Sequence, residues 1–328
     1  MKAWQKAAAG AAVTAAAAAA ASRGLVRLFV GQAMEREQPR LMKLASDRML
    51  GHPKNDPAMA AAAEAALRLR VTPMERVELT ARDGTRLVGH WYGNGSARRA
   101  VVAMHGWRGA WYKDFAMIAP FWFEQGCAVL FAEQRAHGES GGNAIGFGVL
   151  ERWDCVDWAE WVAARCGAET PIYLAGISMG AATVLMAAGL RESLPGSVRG
   201  IMADCGFTSP EAIWRHVTER DYRLPYGLWK RQIDRLAAAK LRCAPDAVTT
   251  VDAMQNTRLP VLFVHGEADT FVPAAMTLEN YQACASPKKR LLLVPGARHG
   301  LSYLVEPERY KAEVRAFWRD CEECEEVL

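Results

Sequence analysis

The chain has 328 residues and 40 Lys and Arg against 36 Asp and Glu, a formal net charge of +4. That length suits one large domain with additions, and 51% hydrophobic with 23% charged residues excludes a disordered chain. The charge is dispersed, with no Lys/Arg block, which argues against a nucleic-acid partner.

The first thirty residues stand apart. Lys2 and Lys6 precede Ala7–Ala21, which is almost pure alanine, followed by Ser22-Arg23 and a second apolar patch, Leu25 to Val30. A positive start, an apolar middle and small residues outline a signal peptide or signal anchor. Against this, alanine is weakly hydrophobic, the uncharged stretch falls short of the roughly 20 residues a span needs, and Arg23 and Arg27 interrupt it. Alanine is also the strongest helix former, so a plain surface helix is the competing reading. The expectation is membrane association through residues 1–30, retained rather than cleaved, ahead of a cytoplasmic chain. Residues 31–70 read as a charged helical lead-in, interrupted at His52-Pro53 and Asp56-Pro57.

From Val71 the period changes. Val77–Thr80 and Leu87–Tyr92 flank Asp83-Gly84, a hairpin signal. Buried strands follow at Ala100–Met104 and Cys127–Phe131, separated by a helix over Lys113–Glu124. A helix over Glu151–Ala164 leads to a strand, Pro171–Ala175, and another helix, Ala181–Leu190. Further strands are expected at Val198–Met202, Val261–Val264 and Arg290–Val294, with a closing helix from Glu306 to about Phe317. This alternation is the signature of a mostly parallel sheet covered by helices on both faces, an α/β fold. Residues 207–257 are too long for an ordinary loop and read as a small helical cap over the strand ends. The cap divides a core at 71–206 and 258–320, and an acidic tail occupies 321–328. The eight cysteines lie mostly in expected core elements, as reduced small hydrophobes. Cys321-x-x-Cys324 lacks further metal ligands nearby.

Between the strand and helix near residue 175 sits Gly176-Ile177-Ser178-Met179-Gly180, a G-x-S-x-G elbow. Its glycines permit a turn too tight for side chains and lift the Ser178 hydroxyl out of the sheet. A serine hydroxyl is a weak nucleophile until a base takes its proton and an acid orients that base. His299, in a loop after the last expected strand, is the candidate base, and Asp269, after the preceding strand, the candidate acid. Glu267 is the rival acid; a metal reading of His265, Glu267 and Asp269 leaves the elbow unexplained. Backbone N–H groups of Met179 and Trp107 are the expected oxyanion donors. Trp214, Tyr222, Tyr226 and Trp229 in the cap are candidate substrate-binding residues, suited to a small molecule with an apolar or aromatic acyl or alcohol group. This chemistry calls for no cofactor and no metal.

His105-Gly106, Arg135–Ser140, Glu151 with Asp154, Gly176–Gly180, Asp204–Ser209, His265–Pro273 and His299-Gly300 together resemble the α/β-hydrolase superfamily over roughly Val71 to Phe317. The similarity is to its bacterial cap-bearing serine hydrolases, the serine aminopeptidase-like and esterase branch. Glu133 departs from the aspartate usual at that strand end and puts the following turn in question. The resemblance implies the α/β-hydrolase fold and a Ser178-His299-Asp269 triad acting on an acyl bond. It leaves ester hydrolysis, amide hydrolysis, transfer to another acceptor, and a catalytically silent binding role open, in that order for the first two.

Overall fold

In the computed structural model, which describes residues 3–37, 57–93 and 97–323, eight strands form one sheet. They are β1 (Glu75–Thr80), β2 (Arg86–Tyr92), β3 (Arg99–Met104), β4 (Cys127–Glu133), β5 (Ile172–Ile177), β6 (Val198–Asp204), β7 (Val261–Gly266) and β8 (Lys289–Val294). Their order is β1-β2-β4-β3-β5-β6-β7-β8. The β1–β2 and β2–β4 pairs are antiparallel, with Val77 opposite Gly89, and the remaining pairs are parallel. The helices in chain order are α1 (Ala3–Met34), α2 (Pro57–Val71), α3 (Trp111–Asp114), α4 (Ala119–Glu124), α5 (Glu151–Cys166), α6 (Met179–Ala188), α7 (Pro210–Arg220), α8 (Tyr226–Leu241), α9 (Thr250–Asn256), α10 (Ala274–Ala283), α11 (Ser302–Val305) and α12 (Pro307–Glu322).

Every residue of β4 is buried, as expected for a strand covered on both faces. One face packs on α5 and α6 through Trp158, Val162, Val184 and Leu185; the other packs on α4 and α12 through Phe121, Phe317 and Trp318. Because β3 and β5 are neighbours while β4 lies beyond β3, the chain reverses its direction of progress across the sheet between them. A crevice at the carboxyl ends of such strands is where open parallel sheets hold their ligands. The elbow follows β5 and the Gly106-Trp107 loop follows β3, so both reach that crevice.

Several sequence expectations change. The helix expected over 113–124 is two short helices, because Pro120 is tolerated only in a first turn and stands in that of α4. The closing helix starts at Pro307 and runs on to Glu322. Within 207–257, α9 packs against α6 and α10 as part of the core layer, so only α7 and α8 are available to stand over the strand ends. The described cysteines are all free, and Cys324 with the rest of the tail lies outside the described residues, as do His52-Pro53 and Asp56.

The largest difference is at the N-terminus. The break expected near residue 30 is absent: α1 is one helix of 32 residues through Met34. Among the described residues no helix is long and apolar enough to cross a membrane, since alanine contributes too little hydropathy. The end of α1 instead packs into the protein. Val26, Val30, Ala33 and Met34, at helical spacing, are buried in one apolar cluster with Phe147, Phe207 and Trp214.

Candidate active site

Ser178 sits at φ +57°, ψ −117°, a strained conformation for a residue with a side chain, immediately before α6. The flanking glycines make this turn sterically feasible. A Cβ at Gly176 would stand 2.2 Å from the Gly180 carbonyl, and one at Gly180 would stand 1.8 Å from Met104 O on β3. The turn is pinned by the Ser178 N–H donating to Asp204 O at 2.8 Å.

His299, from the loop after β8, approaches the serine with Nε2 2.9 Å from Ser178 Oγ. Its Nδ1 lies 2.7 Å from Asp269 Oδ2. A carboxylate only accepts, so Nδ1 carries the proton and Nε2 is left to accept from the serine hydroxyl. All three side chains are buried. The other oxygen of Asp269 accepts from the N–H groups of Phe271 (2.8 Å) and Val272 (2.9 Å). Burial alone would raise the Asp269 carboxyl pKa, but hydrogen bonds from His265 and His299 outweigh it and hold it well below the usual carboxylate range. The rival acid, Glu267, is exposed.

His265 is not free to bind a metal with its neighbours. Its Nε2–H donates to Val272 O at 2.8 Å and Nδ1 meets Thr277 Oγ1 at 2.7 Å. Among the described residues, Cys205, Asp269 and His299 bring potential ligand atoms within 4.8 Å of one another. Burial drives the Cys205 thiol pKa well up, which keeps it protonated and a poor ligand.

The two expected oxyanion donors flank the serine. Met179 opens α6, so its N–H has no partner inside the helix and sits at the positive end of the helix dipole. Trp107 follows Gly106, at which a Cβ would lie 3.4 Å from Ser178 Cβ. The Trp107 loop also holds the end of α1. Trp107 Nε1 donates to Ala33 O at 2.8 Å, and Arg108 donates to the carbonyls of Gln32 (2.8 Å), Glu35 (2.6 Å) and Arg36 (3.2 Å). These carbonyls belong to the last turn of α1 or follow it, where the helix leaves acceptors unpaired. Arg36 in turn donates to Gly138 O and Ser140 O, both at 2.5 Å, in the loop after β4.

That loop is the one in question at Glu133. The longer carboxylate is accommodated: it accepts from the Glu139 N–H and lies 2.9 Å from His90 Nε2. The turn is completed by Ser140 Oγ donating to Glu133 O at 2.6 Å. Behind it Arg135 makes a two-point contact with Asp154 at 2.6 and 2.5 Å, and Glu151 accepts from Gly146 N and Gly148 N. Arg135, Glu151 and Asp154 therefore brace the loops rather than face the serine.

A narrow cavity of about 520 Å³, its open mouth included, lies over Ser178. Trp214 and Tyr222 line it, with Trp107, Phe147, Phe207, Val217, Phe271 and Val272. Tyr226 and Trp229 do not. Tyr226 is fully buried beneath Arg215, and Trp229 Nε1 donates to Ser22 Oγ of α1 at 2.9 Å. Sequence reasoning missed Phe29, Gln32 and Ala33, through which α1 forms one wall. The signal was the apolar stripe at 26, 30, 33 and 34, hidden beside the alanine tract.

The doubly covered sheet, with a serine elbow at the point where strand order reverses, is the architecture of the α/β-hydrolase fold. Residues 100–313 match the alpha/beta hydrolase family, and the chain belongs to it. A relative in Bacillus subtilis (strain 168), the uncharacterized protein YqkD, is 28% identical over 194 residues, 58% of this chain; the match spans about 62% of that relative's length. The fold is similar to that of esterase Pf2001 from Pyrococcus furiosus, with 22% identity over 76% of this chain and 91% of that one at a TM-score of 0.63. It is also similar to esterase RhEst1 from Rhodococcus sp. ECU1013, with 20% identity over 76% of this chain and all of that one at a TM-score of 0.53.

Proposed function

We propose that the protein is a serine hydrolase that cleaves carboxylic esters through an acyl-enzyme. The observation that carries the reading is the continuous hydrogen-bonded chain from Asp269 through His299 to Ser178, with steps of 2.7 and 2.9 Å. Ser178 Oγ attacks the ester carbonyl as His299 Nε2 takes its proton, and the ionised Asp269 stabilises the imidazolium. Negative charge collects on the carbonyl oxygen, where the Trp107 and Met179 N–H groups receive it, each contributing about 3–4 kcal/mol. The alcohol leaves with the proton from His299. Water then attacks the acyl-enzyme by the same route, with His299 as base, and releases the acid. The mostly apolar wall favours hydrocarbon or aromatic bulk in the substrate.

A fluorophosphonate probe is expected to label the protein at Ser178. The Ser178→Ala variant is expected to lose labelling and at least about 10⁴-fold of its hydrolysis of p-nitrophenyl esters. Equal labelling of wild type and Ser178→Ala would overturn the assignment.

A further inference from the structure

A patch on the outside of α1 stands beside the Ser178 cavity. Ser22 Oγ accepts from Trp229 Nε1 at 2.9 Å, and the Phe29 and Tyr222 rings meet edge-on with centres 6.2 Å apart. Residues 22–29 of α1 therefore run alongside 222–229 in the opposite direction, over about 10 Å of helix. Leu25 and Leu28 on one side, and Leu224 and Leu228 on the other, are 57%, 49%, 39% and 74% exposed. Only three other large hydrophobic side chains are exposed among the described residues, Leu67, Val71 and Val305, so the four leucines form a cluster and not part of an even scatter.

The patch is also basic. Arg23, Arg27, Arg223 and Arg231 are exposed, and neither 22–29 nor 222–231 contains an aspartate or glutamate. The adjoining acid, Asp221, is engaged through both oxygens by Arg220, and Lys230 is held by Glu211 and Asp234. No ion pair holds the four arginines among the described residues. Exposed leucines with arginines between them suit a charged lipid surface. The apolar side chains enter the boundary between headgroups and acyl chains, and the guanidinium groups meet lipid phosphates. A second copy would set arginine against arginine about a two-fold axis, with no acid in either segment to relieve it. An acidic partner alone would leave the leucines in water. Within the cavity wall, Phe29, Trp107 and Tyr222 are the partly exposed members, and two of the three belong to this patch, so the mouth opens beside it.

We propose that the face formed by residues 22–29 and 222–231 docks on an anionic lipid bilayer, lying in its surface and not crossing it. Leu25, Leu28, Leu224 and Leu228 enter the interface, and Arg23, Arg27, Arg223 and Arg231 bind the phosphates. Docking sets the cavity mouth against the lipid, from which an apolar ester reaches Ser178 without passing through water. That last step alone rests on the serine hydrolase reading.

The test is co-sedimentation of the full-length protein with vesicles of phosphatidylcholine alone and of phosphatidylcholine mixed with phosphatidylglycerol. Wild type is expected to bind the mixed vesicles at least about tenfold more tightly, with the difference shrinking as salt is added. The pair Leu25→Ser and Leu28→Ser, and the pair Leu224→Ser and Leu228→Ser, are each expected to weaken binding about tenfold. The pair Arg223→Gln and Arg231→Gln is expected to weaken binding to mixed vesicles by about tenfold or more and to change binding to neutral ones little. All these side chains lie outside the cavity wall, so hydrolysis of p-nitrophenyl butyrate in solution is expected to stay within about twofold of wild type, and urea melts report folding without reference to activity. Binding to neither vesicle, equal binding to both, or binding unchanged in both leucine pairs overturns the proposal. Sedimentation needs no catalysis, so absence of ester hydrolysis in wild type overturns the hydrolase reading and leaves the docking face standing.

Discussion

Replacing Asp269 by asparagine keeps the shape of the side chain and changes what one end can do. The oxygen that accepts from Phe271 N and Val272 N, at 2.8 and 2.9 Å, is reproduced by an amide oxygen, so the loop keeps its bonds. The other end, 2.7 Å from His299 Nδ1, becomes an NH2 donor. His265 offers it no acceptor, because its Nε2–H already donates to Val272 O. His299 can accept from the new donor only by moving its proton to Nε2, which then faces Ser178 and can no longer take the hydroxyl proton. A base trapped in the wrong tautomer costs about 10⁴-fold in kcat in serine–histidine–acid sites, or about 5.5 kcal/mol of barrier. The assay is steady-state hydrolysis of p-nitrophenyl butyrate together with the phosphonate labelling rate, with urea melts to show that the variant folds. Glu267→Gln, at the exposed rival acid, is the control and is expected to stay within about twofold of wild type, as surface changes do. Retention of more than about a tenth of the activity in Asp269→Asn, or an equal loss in Glu267→Gln, would refute the assignment of the acid.

Two further predictions concern stability. Burial, with smaller contributions from the charges of His105, Arg108 and Arg36, pushes the His137 pKa down to about 3. Its Nδ1–H donates to Arg135 O and its Nε2 accepts from Arg108 N, an arrangement that only the neutral ring can make. The unfolded chain, with an ordinary pKa of about 6.5, therefore binds the extra proton first, and stability present above that pH is lost as pH falls toward 3. From pH 7 to 4.5 the His137 share of that loss is about 3 kcal/mol, and in urea melts His137→Gln should lose that much less than wild type; equal losses would contradict it. Gly180→Ala places a Cβ 1.8 Å from Met104 O and 2.7 Å from His105 O, both backbone atoms, so α6 must part from β3. A destabilisation above about 4 kcal/mol, or no folded protein, is expected, and a melt within about 1 kcal/mol of wild type would refute the packing argument.

The alternation of strands and helices was legible because each element carries its own hydrophobic period, and the hairpin because Asp83-Gly84 is a local turn signal. The boundary errors have local causes that were readable in hindsight, such as Pro120 dividing the helix expected over 113–124. The reading of Tyr226 and Trp229 as pocket residues failed for a different reason. Composition marks an aromatic as buried, but not which neighbour buries it, and Trp229 turned to α1 while Tyr226 turned inward.

The same division runs through the site. The serine turn is short-range chemistry: five residues with glycine at each end allow one tight geometry, and the order of acid and base after it follows from a parallel sheet filled strand by strand. That much the amino-acid sequence determined by itself. The wall facing Ser178 was decided only by tertiary structure, because it joins Phe29, Gln32 and Ala33 to Trp107 and to a helix beginning at Pro210. The stripe on α1 shows that one face must be buried, yet a membrane, a neighbouring chain or this sheet would satisfy it equally. The choice is made by partners far along the chain, Trp107 and Arg108, whose donors meet the unpaired carbonyls at the end of α1.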